Sequence, residues 1–193
     1  MRRLAAFLAI ACAACVDGGA TSVCDQALVG DPDRSPLLEI VTRDDTGLRA
    51  LADGDDAPLI LAPQGGFVLL AGARARNLAA GAVQLTGWLR DPSSDRVLGL
   101  ESRPAELVEL DDGWASVARP ETFGDFSNIS ACPSADLERD VHDQPWLLSL
   151  RVEDCAGRSV ESEVRITPRC PLEYADLCTC QCDTDYLLGG ACD

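Results

Sequence analysis

The chain contains no lysine. Its cationic side chains are 16 arginines, its single histidine is His142, and 32 acidic residues oppose them for a net charge of −16. Each shortage removes a class of chemistry. Without lysine there is no Schiff base and no lysine to cradle a phosphate. With one histidine there is no two-imidazole metal site. No Gly-x-Ser-x-Gly elbow marks a nucleophile, and no Gly-rich dinucleotide or phosphate loop occurs. The excess of acid repels a phosphate backbone and anionic lipid head groups, which argues against nucleic acid as a partner. Long hydrophobic runs are also missing. The run at Leu4–Ala14 is 11 residues, and a helix of that length rises about 16 Å against a hydrocarbon core of roughly 30 Å. No repeat of fixed period is present.

What the chain does contain begins at its start. Met1-Arg2-Arg3 is basic, Leu4 to Ala14 is apolar, and the run ends in small residues. This is the three-part plan of a secretory signal. The residues after Arg2-Arg3 fit a twin-arginine signal poorly, so the general secretory route is expected. Small residues directly before a cysteine, as in Ala13-Ala14-Cys15 or Ala9-Ile10-Ala11-Cys12, resemble the lipobox of bacterial lipoproteins. That resemblance implies cleavage before the cysteine, a diacylglycerol on its thiol and acylation of the new amino group. Acyl chains anchor firmly, since each buried methylene contributes about 0.8 kcal/mol. It also implies a cell-envelope location, and Val16-Asp17 points to the outer membrane. An ordinary cleaved signal, giving a secreted chain, is the alternative.

Counting favours one cysteine. The sequence has 10 cysteines. Lipidating Cys15 after cleavage before it leaves eight, an even number suited to disulfides. Lipidating Cys12 leaves nine. Cys15 is therefore the expected anchor and Cys12 the alternative. Cleavage there takes Arg2 and Arg3 from the 16 bases and leaves 14 against 32 acids, a net charge near −18. The remaining length suits one good-sized domain.

Residues 1–14 are thus expected to be a signal peptide and 15–35 a Gly/Asp/Ser-rich tether. From 36 to 169 the texture is period-two alternation, and 170–193 is a Cys-rich tail. Strands are predicted at Leu37–Arg43, Phe67–Arg76, Ala82–Asp91, Arg96–Leu100, Glu106–Leu110, Trp114–Val117, Trp146–Asp154 and Ser159–Thr167. Asp112-Gly113 is a hairpin turn signal. One short helix is predicted at Ser134–His142, with Ser134 as its cap. The expected class is all-β, since seven or eight such runs with regular turn signals mean a β-sandwich or barrel.

The last hairpin carries a second resemblance. Leu147-Leu-Ser-Leu-Arg-Val-Glu-Asp-Cys-Ala-Gly-Arg-Ser-Val-Glu-Ser-Glu-Val-Arg-Ile166 resembles the final two strands of Ig-like extracellular bacterial domains, with Asp154 and Gly157 at the turn. It implies an Ig-like antiparallel β-sandwich of seven or eight strands, serving as a structural, adhesive or protein-binding module without catalysis. Antibody domains pin a strand Trp against an inter-sheet disulfide. Trp88 could fill that place, but it lies on the polar side of its alternation, and Phe67–Arg76 has no cysteine.

Eight cysteines remain as disulfide candidates: Cys24, Cys132, Cys155, Cys170, Cys178, Cys180, Cys182 and Cys192. The tail holds five, so at least one must pair outside it. Cys24 to the tail and Cys132 to Cys155 is the expected arrangement. The tail has little to bury beyond Leu172, Tyr174, Leu177, Tyr186, Leu187 and Leu188, so cross-links must order it. Cys178-x-Cys180-x-Cys182 lacks the gap of a zinc knuckle, and no metal is expected there. No cofactor is required, but calcium is a possible ligand of the acidic loops. Asp53, Asp55 and Asp56 are its candidates, which would make the chain a calcium-dependent adhesion module. A small hydrolase using His142 is the remaining alternative; a lone histidine among aspartates is ordinarily a solvated surface residue.

Overall fold

The structure, a computed structural model, describes residues 24–135 and 137–192. The signal and lipidation cysteines, Cys12 and Cys15, lie outside the described residues. In chain order the strands are β1 (Leu28–Val29), β2 (Leu37–Asp44), β3 (Gly47–Ala50), β4 (Asp55–Leu61), β5 (Phe67–Arg76) and β6 (Leu78–Ala79). They continue as β7 (Gly81–Arg90), β8 (Val97–Glu109), β9 (Ala115–Val117), β10 (Ser127–Cys132), β11 (Trp146–Asp154) and β12 (Ser159–Arg169). A 3-10 turn at Leu172–Tyr174 leads into helix α1, Ala175–Gln181. The protein is mostly β, as its alternation predicts.

The pairing closes on itself. Hydrogen bonds run β4-β12-β11-β7-β8-β9, and both β9 and β4 pair with β5, giving a ring of seven strands. Every step is antiparallel except β4–β12. The junction is β5. Its first half is flanked by β4 and β10, its second half by β2 and β9. Two separate sheets would follow from a simple sandwich; here β5 belongs to both groups of strands. Its composition allows this. Ala71-Gly72-Ala73 is small, and a Cβ on Gly72 would come within 2.9 Å of the Val117 and Phe126 side chains. Strand β5 is buried along most of its length, which explains its continuous rather than alternating apolar run.

The flanking strands alternate as expected. Val83, Leu85 and Leu89 of β7 face the core with Trp146, Leu148, Leu150 and Val152 of β11. Ile166 of β12 joins them, while Val160 and Val164 are only partly covered. The two strands predicted at 96–100 and 106–110 are one strand, β8. Proline is tolerated at Pro104 because β8 has a second strand partner only at Leu107–Glu109.

Two elements differ from expectation. No helix forms at 134–142 among the described residues. Instead Val141 is buried, its N–H donates to the Cys182 carbonyl at 3.0 Å, and its own carbonyl accepts Trp146 Nε1–H at 3.1 Å. These tertiary bonds displace the helical ones. The tether also ends early: residues 24–35 lie on the body. Strand β1 pairs β6. Buried Asn77 accepts the Asp31 N–H (2.8 Å) and donates to the Ser35 carbonyl (2.9 Å).

An ion pair between buried Asp125 and half-exposed Arg119 fastens the β9–β10 connection to β8. Asp125 is 0% exposed and accepts the backbone N–H groups of Glu106 and Arg119 together with the Nε–H and Nη2–H of the Arg119 guanidinium. The Arg119 hydrogen bonds hold its carboxyl below the usual range against the opposing pull of burial. Arg90 does the same for Glu163, and Thr46 for Asp44. A carboxyl whose pKa is lowered by folding stabilises the fold above its unfolded value, about 3.9 for Asp. That contribution is lost as the pH falls through the folded value. Stability in urea should therefore fall as the pH drops below about 4. Asp125→Asn should flatten that dependence and lower stability at neutral pH by about 2 kcal/mol, since half the donor set keeps an acceptor.

Candidate functional site

Among the described residues four disulfides join Cys24 to Cys155, Cys132 to Cys182, Cys170 to Cys178 and Cys180 to Cys192. All eight cysteines expected to pair do so, but two expected pairings are corrected. Cys24 reaches the β11–β12 turn rather than the tail, and Cys132 reaches the tail rather than Cys155. The reason lies in the register of the short β1–β6 ribbon. Asp154 opens the β11–β12 turn by accepting the N–H groups of Ala156 and Arg158, both at 2.9 Å. Its other oxygen accepts the Ala79 N–H of β6 at 2.9 Å. That brings β6 and its partner β1 to the turn, and Cys24 with them. Asp154 is thus more than the turn residue its sequence suggests. Asp154→Ala should cost about 2 kcal/mol by stranding these donors, read as a lowered urea midpoint.

The tail is held by sulfur rather than by burial. Leu172 is 96% exposed, Leu187 79% and Leu188 59%, whereas Cys178 and Cys182 are fully buried. Arg169 at the end of β12 bonds Asp56 and Asp143, which fixes the point where the tail departs. Helix α1 then places Cys178 one turn before its C-cap Cys182, which is bonded to Cys132 at the end of β10. Helical periodicity does not reveal α1, because it spans only seven residues and its one buried position is Cys178.

The calcium candidates do not converge. Asp53 accepts the Arg165 N–H at 2.8 Å, Asp55 accepts the Ala52 N–H at 2.9 Å, and Asp56 accepts Arg169 Nε–H at 2.8 Å. Arg49 lies 3.7 Å from Asp55. The carboxylates are occupied one by one, and among the described residues no trio of them forms a metal-sized cluster. Millimolar calcium is expected to leave the thermal midpoint unchanged; a clear rise would restore the calcium-binding alternative.

His142 is half-buried, and its Nδ1 is buried without a hydrogen-bond partner. A catalytic triad needs a carboxylate on that nitrogen and a hydroxyl on the other; neither is bonded here. Trp88 lies on the outer face of β7 beside Gln84, Thr86 and exposed Leu100, as its alternation implies. A groove of about 640 Å3 opens where β12 ends, lined by Arg43, Pro58, Ile60, Arg169, Leu172 and Tyr174. Sequence reasoning missed this groove, because its wall is built by the tail's departure from β12. Among the described residues no helix is long and apolar enough to cross a membrane. No family model and no curated protein matches the chain.

Proposed function

We propose that this is a non-catalytic lipoprotein of the cell envelope, anchored through Cys15, that presents its β-domain as a structural, adhesive or protein-binding module. The observation that carries the reading is the pairing of all eight cysteines from Cys24 onward. Four bridges belong to an oxidising compartment, and they leave Cys15 free to take a lipid once the signal is removed. The acidic surface favours a soluble body held off a membrane rather than a nucleic-acid partner. We further read the domain as a distorted Ig-like sandwich. In its favour, β12-β11-β7-β8 forms an antiparallel row like the G-F-C side of such domains, while β2, β5 and β10 stand as A, B and E would. The outer membrane and a protein partner of the envelope belong to the same proposal. The test is fractionation of cells producing the wild type, Cys15→Ser and Cys12→Ser. The wild type is expected in the membrane fraction. Cys15→Ser should appear in the soluble extracytoplasmic fraction or remain unprocessed, and Cys12→Ser should behave as wild type. A Cys15→Ser protein that remains processed and membrane-bound sinks the proposal.

A further inference from the structure

Three sulfurs converge where the tail meets the barrel, and a fourth is bonded to one of them. Those of Cys170, Cys178 and Cys182 lie within 4.8 Å of one another, and Cys178 and Cys182 are 3.8 Å apart. The Cys132 sulfur is bonded to that of Cys182. They come from three elements: the end of β10, the residue after β12, and α1 with its C-terminal neighbour. A tetrahedral zinc ion with four thiolates at about 2.3 Å places those sulfurs roughly 3.8 Å from each other. The separation across the two disulfides already matches that edge. Cys132, Cys178 and Cys182 are almost wholly buried, the condition of a closed structural site without an open coordination position.

We propose that in the reduced chain, before its bridges form, Cys132, Cys170, Cys178 and Cys182 make a tetrathiolate site for a soft divalent metal of the zinc class. Binding displaces four thiol protons, M2+ + 4 RSH → [M(SR)4]2− + 4 H+, and involves no electron transfer. The metal then holds the tail to β10 as the Cys132–Cys182 disulfide does in the oxidised chain. Cys24 with Cys155 and Cys180 with Cys192 stand outside the site. The proposal does not rest on export, so its failure leaves the lipoprotein reading untouched.

The test uses the full chain carrying Cys12→Ser and Cys15→Ser. A phosphine reduces it: phosphorus takes the oxygen of a water molecule, and the water's two hydrogens become the two thiol protons of each broken bridge. After anaerobic removal of the phosphine, cobalt(II) is titrated as the probe while visible absorption and far-ultraviolet circular dichroism are recorded. The expected result is one cobalt per chain with the intense visible bands of a tetrahedral tetrathiolate. Zinc should displace it, and strand signal should be retained or regained along the same curve. Adding Cys132→Ser, Cys170→Ser, Cys178→Ser or Cys182→Ser should weaken binding by at least about tenfold. The double changes Cys24→Ser/Cys155→Ser and Cys180→Ser/Cys192→Ser should leave it intact. An octahedral cobalt spectrum, a reduced chain that cobalt does not order, or a tetrathiolate spectrum indifferent to Cys178→Ser and Cys182→Ser overturns the proposal.

Discussion

The double substitution Cys132→Ala/Cys182→Ala is expected to lower the unfolding free energy by on the order of 4 kcal/mol. The bridge joins residues 50 apart in sequence, so its loss restores much freedom to the unfolded chain. It also removes the only bridge in the described residues that ties the tail to the barrel, since the other two tail bridges are internal to it. The tail cannot compensate by burial, because Leu172, Leu187 and Leu188 are largely in water. Limited proteolysis should therefore cut near residues 170–192 in the variant while the β-domain stays intact. Breaking Cys180–Cys192 instead should have a much smaller effect, as that bridge closes a short loop within the tail. Equal protease resistance in both variants would show that the tail is held by something other than sulfur.

The second large effect is expected from Gly99→Ala. Strand β8 crosses β10 so closely that a Cβ at residue 99 would stand 2.1 Å from the Ser130 carbonyl oxygen and 3.1 Å from Ile129. A carbonyl fixed in a strand cannot swing aside as a side-chain tip can. Strand β8 must lift from β10, and the close fit of Ile129, which is fully buried, is lost with it. The cost should be about 3 kcal/mol, at the upper end for overpacking a core. It is read from the urea midpoint, with the linear slope checked for constancy. A change below about 0.5 kcal/mol, the size of an ordinary surface substitution, would contradict the crossing.

What could be read in the sequence depended on whether a strand advertises itself locally. Strands β5, β7, β11 and β12 do, through a continuous apolar run or strict alternation. Phe67–Arg76 and Trp146–Asp154 carry the same bounds in sequence and structure. Strands β4 and β10 do not. Asp55-Asp-Ala-Pro-Leu-Ile-Leu61 is acidic and proline-broken, and Ser127-Asn-Ile-Ser-Ala-Cys132 is polar; they are strands because β5 and β12 are there to pair with. Long-range pairing of this kind overrides local propensity. The closure of the ring was hidden for the same reason, since it rests on three residues of β9 meeting β5 and β8. The cysteines were legible as a set and illegible as pairs. Parity fixes that one tail cysteine must leave the tail. That it is Cys182, and that it finds Cys132, depends on where α1 and β10 end in space.

The most direct test of the central claim, that the chain is exported, oxidised and lipidated, is the intact mass of the protein taken from membranes, before and after reduction. The account gives a chain beginning at Cys15, carrying acyl groups, that gains two hydrogens for each of its four bridges on reduction. A mass beginning at Met1, without lipid and unchanged by reductant, would contradict it.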